Sequence, residues 1–221
     1  MAEKKRLTSY TYGPVPSRRL GLSLGVDIVP PKICTLDCVY CQLGRTTSSS
    51  TTRGDFVDIT AVLAEIEAKL KAGLEANYIT LGGSGEPTLN SRLGELIDGI
   101  RRLTNIPVAI LTNGTLFYRD DVRVECAKAD VVAPSLDAGD AAVFQAVNRP
   151  NPDITIEKLV SGLEQFRREF HGAIWLEVFL IAGVNTDAEQ IEKIKRLIQR
   201  IRPDKVHLNT AVRPAAEPDV L

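Results

Sequence analysis

Six apolar runs recur along the 221-residue chain, and they do more than any other feature to limit what it can fold into. They are "LSLGVDIV" (22–29), "YITLGG" (78–83), "PVAILTNG" (107–114), "DVVAPSLDA" (130–138), "AIWLEVFLIAG" (173–183) and "KVHLNT" (205–210). Between them lie segments with helical periodicity: 58–73, which Asp58 or Thr60 would cap and Gly73 would end, then 91–103, 119–128, 140–146, 155–170 and 187–201. Runs that are apolar on both faces need cover on both faces, as parallel strands joined by crossover helices have. The spacing of about 25 to 40 residues suits βαβ units. The expectation is α/β architecture, and periodicity alone leaves an open doubly wound sheet and a barrel or partial barrel both open. With 44% hydrophobic and 25% charged residues, the chain reads as a single domain over 1–221. Residues 1–20 read as an N-terminal extension and the Pro-rich 211–221 as an irregular tail.

The 27 basic and 28 acidic side chains leave a net charge of −1, so no global field draws in nucleic acid or an anionic membrane. No run approaches the roughly 18 apolar residues of a membrane span, and the first residues lack the apolar centre of a signal peptide. A cytoplasmic protein without membrane partners is expected. In that reducing setting clustered cysteines point to metal binding or catalysis in preference to disulfides.

Three of the four cysteines fall within "PKICTLDCVYCQLG" (31–44), as Cys34, Cys38 and Cys41, spaced C-x3-C-x2-C on a loop after the first run. Zinc would want a fourth ligand, and His171 and His207 are distant in sequence. A redox pair of Cys38 and Cys41 would leave Cys34 unexplained. An iron–sulfur cluster uses all three thiols and keeps one iron open, which implies substrate or cofactor chemistry there. Cys126, on a helix, reads as a small buried hydrophobe. The Thr/Ser stretch 45–55 reads as an exposed, solvated connector.

With Tyr40 just before the last cysteine, "CTLDCVYC" resembles the signature of the radical S-adenosylmethionine (SAM) enzymes, and other motifs in the same order extend the resemblance over roughly residues 12 to 214. It implies a partial (β/α)6 TIM-like barrel of parallel strands, a 4Fe-4S cluster held by Cys34, Cys38 and Cys41, and S-adenosyl-L-methionine chelating the fourth iron. "LGGSGEPTL" resembles the Gly-Gly-Glu motif that holds the methionine amino group. Gly83, Ser84, Gly85 and Glu86 are its candidates, and Ser84 stands where many members have glycine. "LTNG" and "PSLDA" resemble ribose and carboxylate contacts, with Thr112, Asn113, Ser135 and Asp137 as candidates. Ile181, Gly183 and Val184 in "LIAGVN" match the stretch that passes the adenine. Tyr40, Glu177 and Asn209 complete the expected cofactor-binding set. Glu177, an acid inside a strand, needs a partner or a polar cavity. "FQAVNRP" resembles a segment of the tRNA wyosine-synthesis branch and adds Asn148 and Arg149 to the lining. Six polar or glycine-rich segments thus follow six strand ends, the edge on which such folds build their sites.

The function expected from this resemblance is reductive cleavage of SAM to a 5′-deoxyadenosyl radical, which takes hydrogen from a substrate that the sequence does not identify. An external one-electron donor such as flavodoxin or ferredoxin is implied. Two alternatives stand beside it. One is a wyosine-synthase-like enzyme acting on tRNA, which the near-neutral charge and the lack of cysteines before Cys34 disfavour. The other is a non-catalytic zinc or iron–sulfur protein.

Overall fold

A computed structural model describes residues 9–220. Seven strands form one curled sheet, a half-barrel, with the helices packed on its outer face. In sheet order they are β1 (Thr11–Ser17), β2 (Gly21–Val26), β5 (Tyr78–Leu81), β6 (Val108–Thr112), β7 (Val131–Pro134), β8 (Ala173–Leu180) and β9 (Lys205–Thr210). Two short strands between β2 and β5, β3 (Ile33–Cys34) and β4 (Ser48–Ser49), pair with each other apart from the main sheet. From β2 onward every pairing in the half-barrel is parallel. Each crossover carries helices: α1 (Ile59–Lys71), α2 (Leu93–Leu103), α3 (Asp120–Cys126), α4 (Ala141–Asn148) with α5 (Ile156–Glu169), and α6 (Ala188–Ile201). The partial barrel of six parallel strands expected above is thus the architecture, with one strand added.

That addition is β1, which lies within the stretch read as an extension and runs antiparallel to β2 at the sheet margin. Pro14 and Pro16 lack the N–H that a central strand must donate on both sides, so "TYGPVPS" can be a strand only at an edge. Residues 1–8 of the expected extension, and Leu221 of the tail, lie outside the described residues. β2, β5, β6, β7 and β8 end two to four residues before their apolar runs do, as at Leu81 against 83 and Pro134 against 138, whereas β9 fills its run to Thr210. The remainder of each run turns over the barrel's rim while staying largely buried.

Local chemistry sets the helix starts. The Asp58 side chain accepts from Thr60 N (3.0 Å) at α1, and Asp140, Thr155 and Asp187 do the same at α4, α5 and α6. Gly73, at φ 84°, follows the last turn of α1. Ile59, Val62 and Ile66 of α1, Leu93, Leu96 and Ile100 of α2 and Leu159, Leu163 and Phe166 of α5 pack against Leu24, Ile79, Ile110, Val132 and Ile174 of the sheet. Each such side chain, fully buried, contributes about 1.5–3 kcal/mol. Cys126 belongs to this core.

Along β8, Ile174, Leu176 and Val178 are buried toward the helices, so Trp175, Glu177 and Phe179 face the concave side. Near the N-terminal ends of the strands Leu20, Ala109 and Val131 pack with Tyr78, Leu111, Ala173 and Trp175 and plug the barrel's floor. The opposite rim, at the strands' C-terminal ends, is left for polar loops. Among the described residues no helix is long and apolar enough to cross a membrane.

Candidate active site

The cysteine segment is held at the rim from several directions. Its backbone pairs as β3 with β4, and Ser50 N donates to Cys34 O at 3.1 Å. The Thr/Ser stretch, read as a solvated connector, is exposed at Arg45, Thr47, Ser48 and Ser49, but the Arg53 side chain is buried against Asp121 and Glu125 and the backbone of the stretch braces the cysteines. Asp37 Oδ1 accepts from Thr46 N (2.6 Å), and the Asp37 and Val39 amides donate to the carbonyls of Asn148 and Val147 (3.0 and 2.9 Å). Glu217 of the tail pairs with Arg45 and with Arg149, and its amide donates to Val39 O (3.0 Å). A single 3-10 turn, Pro218–Val220, follows.

Each of the three sulfurs faces a nitrogen donor. Asn113 Nδ2 and the Leu36 amide lie 3.4 and 3.5 Å from Cys34 Sγ, Asn148 Nδ2 lies 3.4 Å from Cys38 Sγ, and Lys32 Nζ lies 3.2 Å from Cys41 Sγ. Burial, and then the Glu86 carboxylate, pushes the Cys34 thiol up to about 11. Burial and Asp137 push Cys38 higher still. Left to themselves these thiols keep their protons; a bound metal is what would hold them as thiolates.

Two buried carboxylates organise the loops around them. Glu86 accepts from Thr88 N (3.0 Å), Thr88 Oγ1 (2.6 Å), Thr112 Oγ1 (2.6 Å) and Asn113 N (2.8 Å), tying the turn after β5 to the end of β6. Asp137 accepts from Tyr40 OH (2.5 Å), Asn148 Nδ2 (2.8 Å) and Phe179 N (2.8 Å), tying the cysteine segment to α4 and β8. Burial raises the pKa of both carboxyl groups, against those hydrogen bonds. The Tyr40 ring stacks on Phe179 with centroids 4.0 Å apart.

The structure therefore gathers Cys34, Cys38, Cys41, Tyr40, Glu86, Thr112, Asn113 and Asp137 along the cysteine segment in two bonded networks, one of Cys34, Asn113, Glu86 and Thr112 and the other of Cys38, Asn148, Asp137 and Tyr40, with Cys41 N donating to Cys38 O. Gly83, Ser84 and Gly85 stand beside it. Ser84 N donates to Asp27 Oδ2 (3.0 Å), and Lys32 N donates to Ser84 O (2.7 Å). A Cβ on Gly85 would stand 2.6 Å from Ile33 O, so only glycine lets this turn lie against the cysteine segment. Ile181 packs with Val39 and Val147; Gly183 is required by its φ of 73°, and Val184 is exposed. Ser135 bridges to Glu177. Glu177 sits lower, inside the barrel, paired with Arg19 and accepting from Asn209 Nδ2 at 3.3 Å. Among the described residues no side-chain hydrogen bond links that pair to the cysteines.

Several organising residues escaped the sequence reading: Asp27, Lys32, Thr35, Phe179 and Asn185. Asn185 is fully buried; its Oδ1 accepts from Ile181 N, and its Nδ2 donates to Asp137 O and Phe179 O, each at 2.7 Å. A polar residue ending an apolar run is its only sequence signal.

The donor set fits an iron–sulfur cluster with an open position. Among the described residues no three His, Cys, Asp or Glu side chains converge as ligands of a single ion would. Thiolates of a multi-iron cluster bind different irons and need not converge in that way. His207 lies on β9, edge-on to Trp175, away from the rim. Among the described residues Asn148 Oδ1 has no hydrogen-bond partner, though it is buried beside Cys38 and Asp137. A buried amide left half-satisfied points to a donor from outside the protein.

Residues 28–207, from the end of the first apolar run through β9, match the model of the Radical SAM superfamily. The chain belongs to the radical SAM superfamily. It is an enzyme of that superfamily, whose members use SAM and typically a 4Fe-4S cluster. Among its relatives it is 42% identical over 211 residues to a Brachyspira hyodysenteriae protein named GTPase Obg, covering 96% of this chain and 31% of that one. It is 36% identical over 208 residues to a UPF0026 protein of Methanocaldococcus jannaschii, covering 93% and 64%. The chain thus spans less than two thirds of either relative. A solved structure of Streptococcus suis SuiB bound to S-adenosylmethionine shares the fold, with a TM-score of 0.64 at 18% identity, covering 89% of this chain and 43% of SuiB.

Proposed function

We propose that Cys34, Cys38 and Cys41 hold a 4Fe-4S cluster and that the chain cleaves S-adenosylmethionine reductively. The observation that carries this is the three-sulfur set itself. Its sulfurs meet nitrogen donors brought from separate loops, so the cluster's ligands are oriented before any metal binds. When bound, the cluster held by Cys34, Cys38 and Cys41 would supply the electron for reductive cleavage of SAM, and SAM would supply the means of hydrogen abstraction from the substrate.

The protein's share is placement and shielding. Asn113 and Asn148 fix two thiolates through N–H···S bonds while their own orientations are set by Thr35, Thr115 and Asp137. Gly83, Ser84 and Gly85 present backbone beside the cysteines, where a methionine ammonium or carboxylate would bind. Asn148 Oδ1 offers a buried acceptor to the same ligand. Ile181, Val39 and Val147 form a buried apolar cluster behind the cysteine segment, which keeps water from that side of the site. An external protein such as flavodoxin or ferredoxin delivers the electron.

Anaerobically reconstituted protein, given dithionite and SAM, is expected to release 5′-deoxyadenosine. The Cys34→Ala, Cys38→Ala and Cys41→Ala variants should each abolish it, whereas Cys126→Ala, in the hydrophobic core, should retain it. Absence of the product from protein carrying a full complement of iron and sulfide would refute the reading.

A further inference from the structure

Among the described residues Lys32 is one of three non-glycine residues with positive φ, at 62°, a conformation that a side chain with a Cβ rarely adopts. It is held there from both sides. Its amide donates to Ser84 O (2.7 Å), and its carbonyl accepts from the Thr47 and Ser48 amides (both 3.1 Å). Gly85, whose absent Cβ leaves room for the carbonyls of Ile33 and Pro30, lets the turn beneath lie flush. Strain kept in place by so many bonds marks a position where side-chain direction matters. The direction it produces carries Nζ to 3.2 Å from Cys41 Sγ. Among the described residues the donors to Cys34 and Cys38 are neutral amides and the Tyr40 hydroxyl, so Cys41 is the sulfur that faces a cation.

We propose that Lys32 is a positioning residue for the cluster, whose ammonium sets the charge at the Cys41 corner and so makes the bound cluster easier to reduce. Adding an electron adds negative charge to a partly buried group, and a cation at hydrogen-bond distance stabilises the reduced form more than the oxidised one. A hydrogen bond to the ligand sulfur acts in the same direction by drawing electron density off the thiolate. This inference rests on the reading of the cysteines as cluster ligands, and it adds a residue that neither the cysteine spacing nor the strand-end motifs single out.

Three proteins test it: wild type, Lys32→Gly and Lys32→Arg, each prepared anaerobically and assayed for iron, sulfide and midpoint potential by an EPR-monitored redox titration. Glycine adopts a φ of 62° without strain, so a purely structural role predicts that Lys32→Gly is at least as stable and electrochemically unchanged. The expected result is a folded Lys32→Gly protein with a midpoint potential shifted to more negative values, and a Lys32→Arg protein that recovers most of the shift. A cluster lost from Lys32→Gly but kept by Lys32→Arg supports the same role through occupancy. Equal potentials in wild type and Lys32→Gly would overturn the proposal, as would a Lys32→Arg protein that shifts, or loses its cluster, as Lys32→Gly does. If wild type itself binds no stoichiometric iron and sulfide, the cluster reading fails instead, which the same assays register separately.

Discussion

Replacing Asn185 with alanine tests how much of the rim depends on one side chain. Asn185 is completely buried and makes three hydrogen bonds, each at 2.7 Å, to Ile181 N, Asp137 O and Phe179 O. It is the clasp between the loop after β7 and the loop after β8. A net value of about 1 kcal/mol per bond gives about 3 kcal/mol for their loss, and the three backbone groups left unpaired and dry push the cost upward. At about 2–4 °C per kcal/mol for a domain of this size, the midpoint of thermal unfolding should fall by about 6–12 °C. Asn185→Asp should be no better. It keeps an acceptor for Ile181 N, but it turns a carboxylate toward two carbonyl oxygens. Thr186→Ala serves as a control, since its hydroxyl accepts one bond, from Gly183 N (3.2 Å), on an exposed loop, and should cost no more than about 0.5 kcal/mol. Urea unfolding of the purified, iron-free proteins followed by circular dichroism gives the comparison. An Asn185→Ala protein within 1 kcal/mol of wild type would refute the claim that this amide holds the two loops together.

Two further expectations are more local. Gly85→Ala forces a methyl group to 2.6 Å from Ile33 O and 2.8 Å from a Val29 methyl; the protein should fold but reconstitute with less iron per chain, and a normal iron content would show that the cysteine segment yields freely. Glu65 anchors the edge strand: burial opposes its ionisation, but hydrogen bonds from Ser9, Thr11 and Tyr10 outweigh that and bring its carboxyl down to about 2. A carboxyl lower in the folded than in the unfolded state stabilises fully above the unfolded value, about 4.3, and loses that contribution as pH falls toward 2. The stability gap between wild type and Glu65→Gln should therefore narrow from pH 6 to pH 3; a constant gap in denaturant titrations would contradict it.

The sheet was legible because parallel strands buried on both faces leave continuous apolar runs, and Leu24, Ile79, Ile110 and Ile174 lie in those runs. Their ends were less legible, since Ile28, Val29 and Leu136 are apolar and buried yet belong to the rim, not the ladder. β1 was missed because its prolines argue against a strand unless its edge position is already known. At the site, the three thiols stood out through their clustering, whereas Asn113 and Asp137 were singled out only by the resemblance of "LTNG" and "PSLDA" to radical SAM motifs. Lys32 and Asn185 did not: a lysine beside a loop and an asparagine after a glycine turn are ordinarily solvated, and only the fold brings Nζ to a sulfur or encloses the amide. Glu177 was legible as an acid needing a partner, but that partner, Arg19, is supplied by the turn between β1 and β2.

The bonds that shape the cysteine loop reach far along the chain: 79 residues from Asn113 to Cys34, 97 from Tyr40 to Asp137, 110 from Asn148 to Cys38 and 172 from Arg45 to Glu217. Contacts so distant in sequence form only after most of the polypeptide has emerged and collapsed, because each requires closure of a long loop. During synthesis Cys34, Cys38 and Cys41 are made before Asn113, Asp137, Asn148 and Glu217, which hold their loop in place. The loop is therefore an immature acceptor until those later segments have docked, and on the cluster reading its loading with iron follows their docking.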